Sequence, residues 1–180
     1  MIRPLTLAAW ILFTGSTASG AALARPATTE SPAARPADGE SLGLVHVINL
    51  YEIDLAKFAL TRPTSQATRG TAHMLEQEHS QNEKRLAELD VPATITPEVT
   101  AMKTKLDKQA ARLKALPPDA FEAAYIKAMS DGHQDAKEML KKRAPIARTA
   151  SVRTYLIQTE KEIESHYSEI RELEQGAVGK

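Results

Sequence analysis

The sequence predicts an all-α fold, in which a few long helices pack around one core. Three observations carry that expectation. Apolar residues recur at three- and four-residue spacing through five segments, and no segment alternates apolar and polar as a half-buried strand would. Residues with high helix propensity (Ala, Leu, Glu, Lys) are abundant, while aromatics make up only 4% of the chain. Prolines stand at the junctions between the periodic segments, at positions 63, 92, 97, 117, 118 and 145.

The first residues read as an address. Arg3 precedes an apolar run, Leu5 to Phe13, and Ala22-Leu23-Ala24 forms a small-residue cleavage site, so residues 1–24 are expected to be a cleaved signal peptide. The run is well short of the ~20 apolar residues that span a bilayer. The expected location is periplasmic or secreted, with no transmembrane segment left after cleavage. Residues 25–40 hold Pro26, Pro32 and Pro36 among Ala, Thr and Ser and read as a disordered tether.

Ser41 is the expected start of the first helix, carried over 41–61 until Arg62-Pro63 ends it. The second covers 65–90 and stops at Val91-Pro92. Thr96-Pro97-Glu98 restarts the chain with a cap, a first-turn proline and a first-turn acid, opening a third helix over 97–116 with a thin apolar stripe. The fourth, 119–143, is expected to be capped by Asp119 and closed by Pro145. The fifth spans 149–174, leaving 176–180 as a disordered tail and 41–175 as the folded domain.

Four polar residues stand where this pattern calls for apolar ones. Glu52 is flanked on its helical arc by Ile48, Leu55, Ala56 and Ala59. His79 shares a face with Ala72, Leu75, Leu86 and Leu89, while His133 lies among Met129, Ala136 and Leu140, and His166 among Ile163, Ile170 and Leu173. A buried carboxylate or imidazole is costly unless partnered, so each belongs either to a hydrogen-bonded core network or to a site.

Helices joined by short loops run antiparallel, making one pair of the first two helices and another of the last two. The helix between the pairs, roughly 30 Å long at ~1.5 Å per residue, returns the chain from one end of the bundle to the other. The resulting topology is a four-helix bundle of two antiparallel hairpins with an additional crossover helix, the ferritin-like arrangement. It puts Glu52, His79 and His133 near one level and leaves His166 offset by one to two turns, on the order of 5–10 Å.

Glu52-Ile53-Asp54-Leu55-Ala56-Lys57-Phe58-Ala59, Met74-Leu75-Glu76-Gln77-Glu78-His79 with Asn82, Phe121 to Met129 leading to His133, and His166 together resemble a family of exported bacterial proteins. That family is catalogued as domain of unknown function 4142 and often labelled "predicted outer membrane protein". The resemblance implies a ferritin-like bundle and an exported location, and it brings no activity with it. The chain departs from the usual residues of the family at the two positions just before the histidines, where Glu78 and Gly132 stand. Nothing resembles the alternating ~10-residue strands of a membrane barrel.

Composition narrows the function classes. Lys+Arg and Asp+Glu are both 23, a balance that argues against a nucleic-acid binder. The absence of cysteine removes disulfides, thiolate metal sites and a cysteine nucleophile. Glycine-rich phosphate loops and a G-x-S-x-G elbow are missing, so the reading leans away from an enzyme. A di-iron carboxylate site requires two Glu-x-x-His pairs. Glu76-x-x-His79 is one, but Ser130 and Ile163 stand where the others need acids.

Two functions remain open. One is a non-catalytic envelope or stress-related bundle whose His/Glu network only specifies packing. The other is a single transition-metal site for Zn, Cu or Fe, with Glu52, His79, His133 and His166 as ligands and Glu76 and Glu162 holding the imidazoles from outside. A monomer is expected. The Lys137, Lys141, Lys142 and Arg143 cluster complements a helix C-terminus and would allow at most weak contact with an anionic envelope surface.

Overall fold

A computed structural model describes residues 35–178, of which nearly all are helical and none lies in a strand. The signal peptide expected at 1–24 and most of the 25–40 tether lie outside the described residues. Five helices follow in order: α1 (Arg35–Leu60), α2 (Gln66–Ala87), α3 (Pro97–Lys114), α4 (Pro118–Arg143) and α5 (Ala150–Val178). A 3-10 turn, Ala144–Ile146, joins the last two.

The first helix begins six residues before the expected Ser41. Ser41 lies inside it, and its hydroxyl donates to the carbonyl of Ala37 instead of capping an end. The extra turn is held by tertiary contacts. Buried Asp38 accepts the backbone N–H groups of Arg148 and Thr149, at 3.1 and 2.8 Å, and so caps the start of α5 from across the bundle. Gly39 and Gly43 let the 91–96 loop lie directly on α1. A Cβ on Gly39 would come within 2.3 Å of Thr94 Oγ1, and one on Gly43 within 2.4 Å of the Thr94 carbonyl oxygen.

Other ends follow local chemistry. Ser65 caps α2, its Oγ accepting from the N–H of Thr68 at 3.1 Å. Thr96 caps α3 through the N–H of Val99 at 3.3 Å. Pro117 takes the cap position of α4, which moves the expected cap Asp119 into the first turn, where its charge meets the positive end of the helix dipole. At the far end α5 continues through Val178, so 176–178 are helical rather than part of a tail.

Cross-links fix the direction of the helices. The 91–96 loop packs at the start of α1, whereas Arg62, just past its end, donates to the carbonyl of Leu116. The third helix therefore runs alongside α1 as the crossover. It delivers the chain to the end where Glu122 of α4 accepts the backbone N–H of Ser65 at 3.0 Å. With α2 and α4 starting at the same end and Arg143 meeting Glu40 at the other, the two hairpins are antiparallel pairs. No described helix is long and apolar enough to cross a membrane.

The core divides into two apolar clusters. One gathers Leu55, Leu75, Phe121, Tyr125, Met129 and Ile170. The other gathers Leu42, Leu86, Leu140, Val152, Leu156 and Ile163. Buried polar residues stand at or beside the boundary between these two sets on four helices: Asn49 and Glu52 on α1, His79 and Asn82 on α2, Ser130 and His133 on α4, Thr159 and His166 on α5. The bundle thus carries a polar layer at mid-height.

Candidate functional site: a buried cluster of three imidazoles

His79, His133 and His166 meet in this layer. Their ring centroids are 5.6 Å (79–133), 5.3 Å (79–166) and 5.4 Å (133–166) apart, a nearly equilateral triangle. One ring nitrogen from each lies within 4.8 Å of one from each of the others. All three residues are at most 3% exposed. The axial offset expected for His166 is absent: its ring lies as close to His133 as to His79.

Each ring has one nitrogen engaged and one without a partner. Asn49 fixes His79. Its amide nitrogen donates to Asn82 Oδ1 and Glu83 Oε2, so its oxygen must face His79 Nδ1, 3.0 Å away, and accept the proton there. His133 Nδ1 donates to the carbonyl of Met129 at 2.9 Å. His166 Nε2 donates to Glu78 Oε2 at 2.7 Å. The nitrogens left over, His79 Nε2, His133 Nε2 and His166 Nδ1, are buried with no hydrogen-bond partner. Acceptors on the outside of each ring settle its tautomer and leave a lone pair on the other nitrogen.

Burial also sets the charge state. Desolvation, with neighbouring His133 and His166 adding to it, holds His79 well below the usual histidine range. Desolvation takes His133 down to about 3. Both rings are therefore neutral at pH 7, the form a metal ion requires. Glu52 moves the other way: burial raises its carboxyl to about 8, so it carries a proton at neutral pH.

Glu52 is in the layer but outside the triangle. Its Oε1 lies 3.7 Å from His133 Nδ1, the nitrogen already given to Met129, a separation too long for a hydrogen bond. The carboxyl therefore flanks the outer side of that ring, and its Oε2 has no partner. The two acids expected behind the imidazoles take other places. Glu76 faces Lys57 on the surface at 3.8 Å. Glu162 pairs with Arg85 and accepts from Asn82 at 3.2 Å, connecting to His79 only through Asn82 and Asn49. The acid that does hold an imidazole is Glu78, which reaches His166 from the adjacent helix α2.

Asn49 and Asn82 stand three positions from Glu52 and His79 on the same apolar arcs; Asn82 counted above only toward the family resemblance, and Asn49 was not singled out. Asn82 is the hub of a second polar group. It accepts from Asn49 and from the Tyr155 hydroxyl, and it donates to Thr159 and Glu162. Of the basic cluster at the end of α4, Lys137 pairs with Glu164, and Arg143 with Glu40 and Glu98.

Residues 23–173 match the family described as "Domain of unknown function (DUF4142)". No curated protein matches the chain, and neither does any solved structure.

Proposed function

The chain belongs to the DUF4142 family of domains of unknown function, and from the geometry of its core we propose that it binds one transition-metal ion through His79, His133 and His166. The observation that carries this reading is the set of three unpartnered imidazole nitrogens, each on a ring whose other nitrogen is held by a fixed acceptor. Leaving three such atoms bare in a core costs about 1–3 kcal/mol each, and one metal ion would satisfy all of them. Imidazole donors suit zinc, copper and iron. Bonds of about 2.0–2.1 Å bring such nitrogens to about 3.3 Å from one another, so the rings close inward on binding.

Glu52 acts in this reading as the neighbouring acid that offsets the ion's charge. An ion held by neutral ligands places its full charge in a low-dielectric core, which favours release of the Glu52 proton. Nine-tenths burial of every ligand suits tight, slowly exchanging metal, either held in store or, if iron or copper, used for redox chemistry. Export to the envelope, with a ferritin-like bundle as the carrier, completes the proposal and rests on the signal peptide that the sequence leads one to expect at 1–24. A second reading, a polar core that only specifies packing, is favoured by the fully paired group around Asn82.

Thermal melts of chelator-treated protein with added Zn2+, Cu2+ or Fe2+ separate the two readings. Ligand at a hundred times its Kd stabilises by about 2.7 kcal/mol, so the wild type should melt several degrees higher with the right metal and His133→Leu should not. Equal melts with and without each metal would leave the packing reading.

A further inference from the structure

At the end of the bundle where α1, α3 and α5 begin, two large apolar side chains face outward. Ile95, in the loop before α3, is 84% exposed, and Ile146, in the 3-10 turn before α5, is 62% exposed. Arg143 ties the two together: it lies three residues before Ile146 and donates to Glu98, three residues after Ile95, at 2.6 Å. Cations surround Ile146. The stretch from Met139 to Thr159 contains Lys141, Lys142, Arg143, Arg148 and Arg153 and no acid. Arg143 is neutralised by Glu40 and Glu98. The other four are exposed, and among the described residues none of them pairs with a carboxylate. Arg153 is pinned beside Ile146, its Nε donating to the Ala147 carbonyl at 2.9 Å. The exposed acids Glu88 and Asp90, at the close of α2, offset only part of this charge.

Helix stability does not account for this arrangement. Lys141 and Lys142 complement the C-terminal end of α4, but Arg148 and Arg153 flank the start of α5, where the helix dipole favours anions. We propose that this end of the bundle docks on an anionic phospholipid surface. Ile95 and Ile146 enter the headgroup layer, and Lys141, Lys142, Arg148 and Arg153 face the lipid phosphates around them. Peripheral segments lie on anionic membranes by pairing buried apolar side chains with flanking Lys and Arg. Four cations reach the lower limit of clusters that hold anionic lipid. The chain also enters α1 at this end, so residues 1–34, with the apolar run at 5–13, join the bundle on the side turned to the lipid. The imidazole layer lies at mid-height, away from this surface, so docking does not depend on a bound metal.

The full chain has no cysteine, so Ile146→Cys carrying an environment-sensitive fluorophore reports on this position alone, whatever residues 5–13 do. Gln66→Cys, labelled in the same way at the exposed start of α2, marks the opposite end. Vesicles of phosphatidylcholine mixed with phosphatidylglycerol should shift the emission at 146 to the blue and leave that at 66 in place. The shift should vanish on phosphatidylcholine alone. It should weaken as salt rises from about 0.1 M to about 1 M, where the Debye length falls from about 10 Å to about 3 Å. Adding Lys141→Gln/Lys142→Gln should raise the lipid needed for half the shift by about thirty-fold. No shift at 146, an equal shift at 66, an equal shift on phosphatidylcholine alone, or an unchanged lipid requirement in the double variant would overturn the proposal.

Discussion

The two polar groups of the mid-bundle layer are built from similar residues at similar depth, yet they differ in one respect. Around Asn82 every contact is closed: its oxygen accepts twice, its amide nitrogen donates twice, and its partners bring further bonds of their own. Around the imidazole triangle each ring is held from outside and has nothing to meet within. A core that needed polar groups only for register would close both. Satisfied networks specify a fold, whereas half-satisfied ones invite a ligand.

The comparison breaks most visibly at Asn82. Asn82→Leu would strip partners from Asn49, Tyr155, Thr159 and Glu162 together. Orphaned buried groups cost about 1–3 kcal/mol each, so a loss of roughly 3 kcal/mol is expected, or on the order of 10 °C in Tm for a chain of this size. His133→Leu in metal-free protein removes a ring whose inner nitrogen is unpaired. It should change stability by about 1 kcal/mol or less, since replacing an ill-satisfied polar core group by an apolar one is often neutral. Urea unfolding of the two variants checks the contrast, and equal losses would erase the distinction between the groups.

Much of this was legible in the sequence. Helical periodicity, the prolines and the Thr96 cap mark out five helices, and loop length with the α3 crossover sets their order. His79, His133 and His166 stood out because each interrupts an apolar stripe. What stayed hidden depends on how one helix is rotated against another. Residues 35–40 look like tether until Asp38 finds the backbone of Arg148 and Thr149. Glu78, rather than Glu76 or Glu162, holds an imidazole because α2 turns it toward α5. The side of His133 on which Glu52 falls is likewise a matter of packing.

Acid and base should act on the layer in opposite senses. The folded-state pKa values of His79 and His133 are depressed, so their contribution is full above the unfolded value near 6.5 and fades as pH falls toward the folded value, about 3 for His133. The value for Glu52 is raised, so its contribution is present below 4.5 and lost as pH rises toward about 8. Metal-free protein should therefore weaken from pH 6.5 to 8 through Glu52, and below about 4.5 through the histidines alone. Denaturant titrations across pH 4–9 test this; Glu52→Gln should flatten the alkaline limb, and an unchanged limb would assign it elsewhere.

The smallest expected effect belongs to Glu78. Glu78→Gln keeps an oxygen for His166 Nε2 but removes its charge, and the side chain is 53% exposed, so fold stability should hardly change. Metal affinity should still fall by about ten-fold, the lower end of what outer partners of a ligating histidine contribute. Competition with a chromophoric chelator would measure it, and identical affinity would show that the Glu78 contact does not tune the ring.

In the proposed metal site the three unpartnered imidazole nitrogens face a common ion. X-ray absorption at the metal edge, on protein first quantified by elemental analysis, addresses it directly. About one zinc, copper or iron per chain is expected, with three imidazole nitrogens at about 2.0–2.1 Å, and with that metal lost in His79→Ala/His133→Ala. Protein that stays metal-free after incubation with all three ions, or metal surrounded by oxygen alone, would contradict it.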